Sequence, residues 1–517
     1  MTTPESKDFT LGVVGAGLMG GGIAQVAAQA GVRTLMFDAQ PGATAKAKQS
    51  IGATFQRLMA KGKLTEEAVN LALDRLQPVD TLDGLAACHV VIEAIVEDLA
   101  VKQETFKQLE AVVAPDCVLA TNTSSLSVTA IASACASPGR VGGFHFFSPV
   151  PLMKIVEVID GVRTEPRVGE MLTALATRMG HAPVQARDTP GFIVNHAGRG
   201  YGTEALRILG ESVADFHTID RILRDGAGFR MGPFELLDLT GLDVSQPVMD
   251  SIYHQYYEEP RFRPSPLLLQ RKQAGLLGRK SGGGFYQYAD GAQQQPAPVV
   301  PPAARPARVW VSRHFPESHA LVTFLIWDLG GKLDTGDRPS ADALCIVTPL
   351  GGDATSRAVD EQLDPQRTVA IDTLFGTTTH RTLMATPITT QAMREAALGL
   401  FQADGVPASM IHDSAGFVAP RVIAHIVNVA CDIAQQGIAT PQDIDRAVKL
   451  GLGYRQGPLA MGDAIGPGTI LAILESLQTF YGDPRYRPSP WLKRRARLGI
   501  SLLTAGTTDS HSPSWHA

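Results

Sequence analysis

The sequence predicts a doubly wound parallel α/β sheet followed by an all-α domain, with a reduced copy of the same pair in the second half of the chain. Three observations carry that prediction. Strands and helices alternate through the first quarter of the chain, a glycine-rich turn joins the first strand to the first helix, and a string of motifs returns 225 residues later.

Residues 9–14 are an apolar, β-branched run and read as a buried strand, 18–30 as a helix and 33–38 as a second strand. Helical patterning follows at 43–61 and 66–75, a strand at 89–92, a helix at 100–112 and a strand at 117–121. Past Thr189 the period changes, and 191–257 is largely helical. The motif Asp188-Thr-Pro-Gly-Phe-Ile-Val then returns as Asp413-Ser-Ala-Gly-Phe-Val-Ala. Ile219-Asp-Arg returns as Ile444-Asp-Arg, and Gly228-Phe-Arg-Met-Gly-Pro as Gly453-Tyr-Arg-Gln-Gly-Pro. Chance does not hold one register across such motifs, so a helical domain is duplicated. Between the copies, 320–401 again reads as α/β, with strands at 343–348 and 368–371 but no glycine fingerprint. The expected division is an α/β domain at 1–187, a helical domain at 188–290 and a Pro/Ala/Gln-rich linker at 291–309. A degenerate α/β segment at 310–411, a second helical domain at 412–503 and a flexible tail at 504–517 complete it.

Composition narrows the function. At 517 residues with 44% hydrophobic and 19% charged residues, the chain is a multidomain globular protein. A net charge of −5 supplies no basic field for nucleic acid or anionic lipid, so the expected partner is a small molecule. No apolar run approaches the ~20 residues that span a bilayer. The polar start leads straight into a strand, so no signal peptide is expected and the cytoplasm is the default location. The five cysteines are scattered singly, which suits buried small hydrophobes and neither a disulfide scaffold nor a metal site.

The run Leu11-Gly-Val-Val-Gly-Ala-Gly-Leu-Met-Gly places Gly15, Gly17 and Gly20 in the spacing that receives a dinucleotide pyrophosphate, with Ala16, Leu18 and Met19 between them. Gly15 permits the tight turn, Gly17 the close approach of backbone to phosphate, and Gly20 the packing of helix on strand. Asp38 closes the second strand, where the adenosine ribose is met. Its charge repels a 2′-phosphate, so NAD is favoured over NADP and the first domain is of Rossmann type.

A second run, Gly143-Phe-His-Phe-Phe-Ser-Pro-Val-Pro, sets His145 among aromatics and prolines, with Glu157 twelve residues on. Oxidising an alcohol needs a base for the hydroxyl proton, and imidazole titrates near neutrality. A carboxylate would orient the ring. Spacing alone does not separate this reading from a satisfied core histidine.

Taken together, Gly15-Ala-Gly-Leu-Met-Gly, Glu93-Ala-Ile-Val-Glu, Thr121-Asn-Thr-Ser-Ser-Leu, His145-Phe-Phe-Ser-Pro-Val-Pro and Asp188-Thr-Pro-Gly-Phe-Ile-Val-Asn resemble the L-3-hydroxyacyl-CoA dehydrogenase family, from about Phe9 to Tyr288. The resemblance implies NAD as cofactor, an acyl-CoA substrate, His145 as base and Glu157 as its partner. It implies that Ser124 and Asn195 hold the substrate's oxygens, and that Glu97, Lys102, Ser124, Ser148 and Lys280 lie along the NAD. Thr54 and Lys61 would meet coenzyme A. Ser148 stands where the family usually has Asn, which weakens that one contact. The second copy has Pro420 in place of Asn195 and no His motif, so it is expected to be non-catalytic. The helical domain is the family's usual dimer surface, and a tandem copy would cover it within one chain as an intramolecular pseudo-dimer, with or without further homo-oligomers. Tandem members resemble dehydrogenases of 3-hydroxyadipyl-CoA in phenylacetate catabolism and bacterial 3-hydroxybutyryl-CoA dehydrogenases. For the dicarboxylic chain, Arg199, four residues after Asn195, is the candidate reader of the second carboxylate. A free hydroxy-acid dehydrogenase and a non-catalytic NAD-binding scaffold are the competing readings.

Overall fold

Five consecutive buried residues, Thr10–Val14, can only form the centre of a sheet covered on both faces. In the computed structural model this strand, β1, is followed by α1 (Leu18–Gln29), β2 (Arg33–Phe37), α2 (Ala43–Ala60), α3 (Glu66–Arg75) and β3 (Leu76–Pro78). Then come β4 (Val90–Glu93), α4 (Leu99–Val112), β5 (Val118–Thr121), α5 (Val128–Ala132), β6 (Val141–Phe146), β7 (Ile155–Asp160), α6 (Pro166–Arg178) and β8 (Ala182–Arg187). The eight strands form one sheet in the order β3-β2-β1-β4-β5-β6-β7-β8. The structure describes residues 2–294 and 302–506. Part of the expected linker (295–301) and most of the expected tail (507–517) lie outside them.

The sheet is Rossmann-like but not wholly parallel: β6 and β7 pair antiparallel, with His145 directly opposite Glu157. The connection between them is too short for a parallel crossover. The sequence reading left β3, β6, β7 and β8 unassigned. In β6 the reason is Gly142 and Gly143, which lower strand propensity yet are required by packing. A Cβ on Gly143 would lie 2.8 Å from the Cβ of Ile159 and 2.9 Å from a Val128 methyl.

The helical continuation comprises α7 (Val194–Gly210), α8 (Phe216–Arg221), α9 (Pro233–Thr240), α10 (Leu242–Gln255) and α11 (Pro266–Gln273), and ends in a hairpin of β9 (Tyr288–Ala289) and β10 (Ala292–Gln293). The second half begins with β11 (Arg308–Val311), α12 (Pro316–Asp328), β12 (Ala343–Val347), α13 (Ala354–Asp360), β13 (Thr368–Ile371), β14 (Arg381–Ala385), α14 (Gln391–Phe401) and β15 (Ala408–His412). It closes with α15 (Ala419–Gln435), α16 (Pro441–Gly451), α17 (Pro458–Ile465), α18 (Pro467–Tyr481) and α19 (Pro490–Leu498).

The repeat is wider than the motifs that reveal it. The second sheet has five strands, not two, in the order β11-β12-β13-β14-β15, and its single antiparallel pair is β13–β14. That is the pattern of β4 to β8, and β12 to β15 start within two residues of the 225 offset. The second half therefore repeats the carboxyl-terminal part of the first sheet. Among the described residues it has no counterpart of the unit from β1 to β3, which carries the glycine turn. The repeated Asp has one local task in both copies. Asp188 accepts from the N–H groups of Val128 and Thr129 at the start of α5, and Asp413 from those of Ala354 and Thr355 at the start of α13. The Gly-Phe that follows takes left-handed backbone both times, with Phe192 at φ 48° and Phe417 at φ 53°.

The described chain forms two compact units that do not follow its linear order. The first joins the residues up to His196 to Gln436–Gly453, and the second holds Ala197–Gln435 and Tyr454–Leu503. In the first, α16 packs on β7 and β8, and the Arg187 N–H donates to the Ile438 carbonyl at 2.9 Å. In the second, the equivalent bond runs from His412 N–H to the Val213 carbonyl, also at 2.9 Å, and the turn after α8 packs on β14. Each copy thus lends the segment after its first long helix to the other copy's sheet.

Within the second unit α7 and α15 share a buried ionic cluster. The Arg421 guanidinium lies 2.6 Å from Glu204 and 2.8 Å from Glu211, Arg485 lies 3.1 Å from Glu204, and the Tyr486 hydroxyl donates to Glu204 at 2.6 Å. Burial alone would raise the Glu204 carboxyl, but the Arg485 and Arg421 cations outweigh it and hold it well below its ordinary 4.5. Removing one member leaves buried charge uncompensated, at a cost of about 3–5 kcal/mol. Glu204→Gln should therefore lower stability towards urea by that order. A carboxyl depressed in the folded state contributes fully above its unfolded value and loses that contribution as pH falls below it. The gap between wild type and variant should narrow below about pH 4.5; a gap that ignores pH would assign the loss to packing instead.

Candidate active site

At the end of β1 the backbone turns at Gly15, where φ is +98° and a Cβ would lie 2.5 Å from the Ala94 carbonyl oxygen. At Gly20 a Cβ would lie 1.8 Å from the Gly15 carbonyl oxygen, so only glycine lets α1 start this close to its strand. Gly17 differs: a Cβ there would meet nothing within 4 Å, so the open space lies over its backbone. Gly17 is the N-cap of α1 and supplies no side-chain cap, which leaves the first-turn N–H groups for an incoming anion. Met19 packs on the core while Leu18 is exposed.

A cavity of about 660 Å³ spreads from this turn and is lined by Gly17, Asp38, Lys46, Ser50 and Thr54 among others. Asp38 is held there by two backbone donors, Ala16 at 2.7 Å and Gln40 at 2.8 Å. Lys46, Ser50 and Thr54 stand four apart on α2 and so share one face; the sequence reading singled out only Thr54. Their period was the available signal. Lys61 is the exposed C-cap of α2 and does not line this cavity.

Across the sheet, the facing pair of β6 and β7 builds the second element. His145 Nδ1 lies 2.6 Å from Glu157 Oε2, with the His145 side chain 6% exposed and that of Glu157 fully buried. A carboxylate only accepts, so Nδ1 carries the proton and Nε2 is the nitrogen left to act as acceptor. The other Glu157 oxygen accepts from the N–H groups of Ile193 at 3.0 Å and Val194 at 2.8 Å. Those donors open α7, whose second residue is the half-buried Asn195. The ring is flanked by Phe147 and Phe192, at centroid distances of 4.4 and 5.8 Å.

The third element is the pair of loops after β4 and β5. Glu97 Oε1 accepts from the Thr123 hydroxyl at 2.7 Å, the Ser124 N–H at 3.0 Å and the Ser125 hydroxyl at 2.9 Å. Desolvation opposes its charge, but the Thr123 hydrogen bond, the Lys102 cation and the Ser124 and Ser125 donors hold the carboxyl below its ordinary value. Asn122 accepts from the Phe146 N–H at 2.8 Å and ties this loop to the strand of His145. Ser148, exposed two residues past that strand, begins a cis bond to Pro149. Lys102 is only 1% exposed, and its ammonium meets Glu93 at 2.6 Å and Glu97 at 3.3 Å.

The structure therefore brings the glycine turn, Asp38, Thr54, Glu97, Ser124, His145, Ser148, Glu157 and Asn195 into one unit, much of it along the carboxyl edge of the parallel strands, where ligands of such sheets bind. Lys280 and Arg199 belong to the other unit. Lys280 pairs with Asp243 at 2.5 Å. Arg199 sits beside Tyr454, and burial pulls its guanidinium down to about 10.

Residues 10–189 match the domain family described as 3-hydroxyacyl-CoA dehydrogenase, NAD binding domain. The C-terminal domain of the same family matches twice, at 191–288 and 416–503. The chain belongs to the 3-hydroxyacyl-CoA dehydrogenase family. It is 39% identical over 490 residues to a 3-hydroxyadipyl-CoA dehydrogenase of Escherichia coli (strain K12), covering 95% of this chain and 98% of that one. A crystal structure of 3-hydroxybutyryl-CoA dehydrogenase from Escherichia coli K12 superposes with a TM-score of 0.83 at 37% identity, covering 95% and 98% of the two chains. A probable 3-hydroxybutyryl-CoA dehydrogenase of Deinococcus radiodurans is 43% identical over 277 residues, 54% of this chain and 99% of its own. That relative thus spans about half of this chain.

The glycine geometry separates fold from binding. Gly20→Ala should destabilise the protein by about 3 kcal/mol or more, because the clash is with backbone. Gly17→Ala, at φ −70°, should unfold at the wild-type temperature yet weaken NAD binding about tenfold or more. Equal thermal loss in both variants would contradict this division.

Proposed function

We propose that the chain oxidises (3S)-3-hydroxyacyl-CoA thioesters to 3-oxoacyl-CoA with NAD, and that 3-hydroxyadipyl-CoA is its preferred substrate. The observation that carries the reaction is the buried His145–Glu157 pair, 2.6 Å apart at the edge of the sheet that also bears the glycine turn.

NAD held at the glycine turn would supply the acceptor for the C3 hydride. The open backbone at Gly17, the uncapped start of α1 and the acid Asp38 suit a dinucleotide without a 2′-phosphate. His145 Nε2 accepts the proton of the 3-hydroxyl as the C3–H bond breaks and the carbonyl forms. Glu157, with two N–H groups on its other oxygen, stays ionised and stabilises the imidazolium. Ser124 and Asn195 hold the hydroxyl and thioester oxygens, and Glu97 fixes the loop of Ser124. Lys102 acts at one remove, holding Glu93 and Glu97. Thr54, with Lys46 and Ser50 on the same helical face, meets the polar parts of coenzyme A or NAD, and Lys61 the phosphates of coenzyme A. Ser148 would contact the cofactor.

The second half acts as a scaffold and covers, as an intramolecular pseudo-dimer, the helical surface that a partner would otherwise bury. Two contacts support this. The Glu204–Arg421 cluster joins α7 to α15, and Gly451 of α16 stands so close to Val194 that a Cβ would come within 2.9 Å of its methyls. Val194 is one of the two donors that hold Glu157. Among the described residues no helix is long and apolar enough to cross a membrane, and we place the enzyme in the cytoplasm. The second reading, a 3-hydroxybutyryl-CoA dehydrogenase, is favoured by the solved relative of that name.

Absorbance of NADH tests both levels. His145→Gln should lower kcat about 10²–10⁴-fold with little change in KM, the range for loss of a general base, and unchanged turnover would assign the base elsewhere. On the substrate, Arg199→Ala should cut kcat/KM for 3-hydroxyadipyl-CoA about tenfold or more while sparing 3-hydroxybutyryl-CoA. Equal losses on the two thioesters would remove Arg199 from selection.

A further inference from the structure

The second half repeats the strands that frame the active site of the first, but at the equivalent positions its chemistry is different. Across the antiparallel step Asp372 faces Thr382, the 225 counterpart of Glu157, so an acid stands where the first copy has His145, and Asn195 becomes Pro420. A degenerate copy with no task would be expected to fill this place with apolar side chains. Instead the second unit keeps a cavity of about 350 Å³ at the ends of β12 and β13, within the size of small-molecule sites.

We propose that this cavity is a second ligand site, separate from the dehydrogenase centre, that takes a small organic cation: an ammonium or amidinium on a compact apolar body. The argument starts from two buried polar groups. Asp372 is 2% exposed; its Oδ1 accepts from the Leu374 N–H at 2.9 Å, while Oδ2 has no hydrogen-bond partner among the described residues. Thr348 is 3% exposed, and its hydroxyl is likewise without a partner there. Both line the cavity. A buried acceptor left unsatisfied costs about 1–3 kcal/mol, so two in one cavity mark a place where something with donors belongs.

The rest of the lining chooses the ligand. Glu317 stands exposed among the lining residues, and Ser318 and Thr373 approach each other at 3.1 Å between their hydroxyls. Phe315, Leu350 and Pro420 supply apolar surface. Among the described residues no lysine, arginine or histidine lines it, so phosphates and carboxylates have no counter-charge, and the glycine turn that would receive a dinucleotide has no counterpart in this copy. Burial pushes the Asp372 carboxyl up to about 7, against the Leu374 and Phe375 N–H groups, and no neighbouring cation offsets that penalty. A ligand cation would supply it.

The test uses the full chain with benzamidine as probe, benzyl alcohol as its neutral control and benzoate as its anionic control, read by calorimetry. Benzamidine should bind once per chain in preference to both controls. Asp372→Asn, nearly isosteric, should weaken that binding about tenfold or more while NADH formation from a 3-hydroxyacyl-CoA stays at the wild-type rate. A crystal structure with benzamidine should place the amidinium against Asp372 Oδ2, and Thr348→Val gives a second variant should the first fail to fold. No benzamidine binding, equal binding of benzoate, unchanged affinity in Asp372→Asn and Thr348→Val, or a cavity holding ordered water or an alkali ion alone would each overturn the proposal. Because every outcome that would overturn the proposal is a binding or structural readout, its failure leaves the function of the first half untouched.

Discussion

The candidate centre depends on one fully buried carboxylate. Glu157 is taken from three directions: by the His145 ring on the facing strand and by the N–H groups of Ile193 and Val194 where α7 begins. A charge buried this deeply persists only with such partners. The same bonds that make the burial tolerable fix the strand register, the entry of α7 and the tautomer of the imidazole. The antiparallel step between β6 and β7 is what brings His145 and Glu157 face to face, since residues twelve apart on parallel strands joined by a crossover would not be direct neighbours. The aromatic rings of Phe147 and Phe192 then exclude water from the sides of the imidazole.

The second half reuses this frame without its chemistry. Asp188 and Asp413 cap equivalent helices, and Phe192 and Phe417 adopt the same left-handed turn. Both copies therefore need the repeated motif for folding, which is why it outlasts the catalytic residues. The exchange of segments, α16 onto β7 and β8 in one unit and the turn after α8 onto β14 in the other, ties each sheet to the other copy's helices. Such an arrangement explains why a copy lacking His145, Asn195 and the glycine turn persists at nearly full helical length. Its packing is part of the support of Val194, and through Val194 of Glu157.

How much of this was legible in the sequence follows from the range of each interaction. The glycine turn, Asp38 and the motif repeat are local, and their spacing alone specified them. The strand carrying His145 was not legible, because Gly142 and Gly143 weaken its pattern while serving contacts with Val168, Ile159 and Val128 that only the fold creates. Lys102 was expected along the NAD from the resemblance, yet Glu93 and Glu97 from the preceding strand and loop draw it into the interior. The strands β14 and β15 were missed for the same reason as their counterparts β7 and β8, which the sequence reading also left unassigned, so the offset had nothing to carry over. Asp372 was hidden because the register of β13 departs by two residues from the 225 offset, which sets it in the place of His145.

The central claim is that the His145–Glu157 pair is the proton-handling element for a 3-hydroxyl. The most direct measurement is a crystal structure of the full chain with NAD and acetoacetyl-CoA. The account predicts the 3-oxo oxygen within about 3 Å of His145 Nε2, with Nδ1 still bonded to Glu157. A thioester bound with that oxygen away from His145, or a ring turned off Glu157, would contradict it.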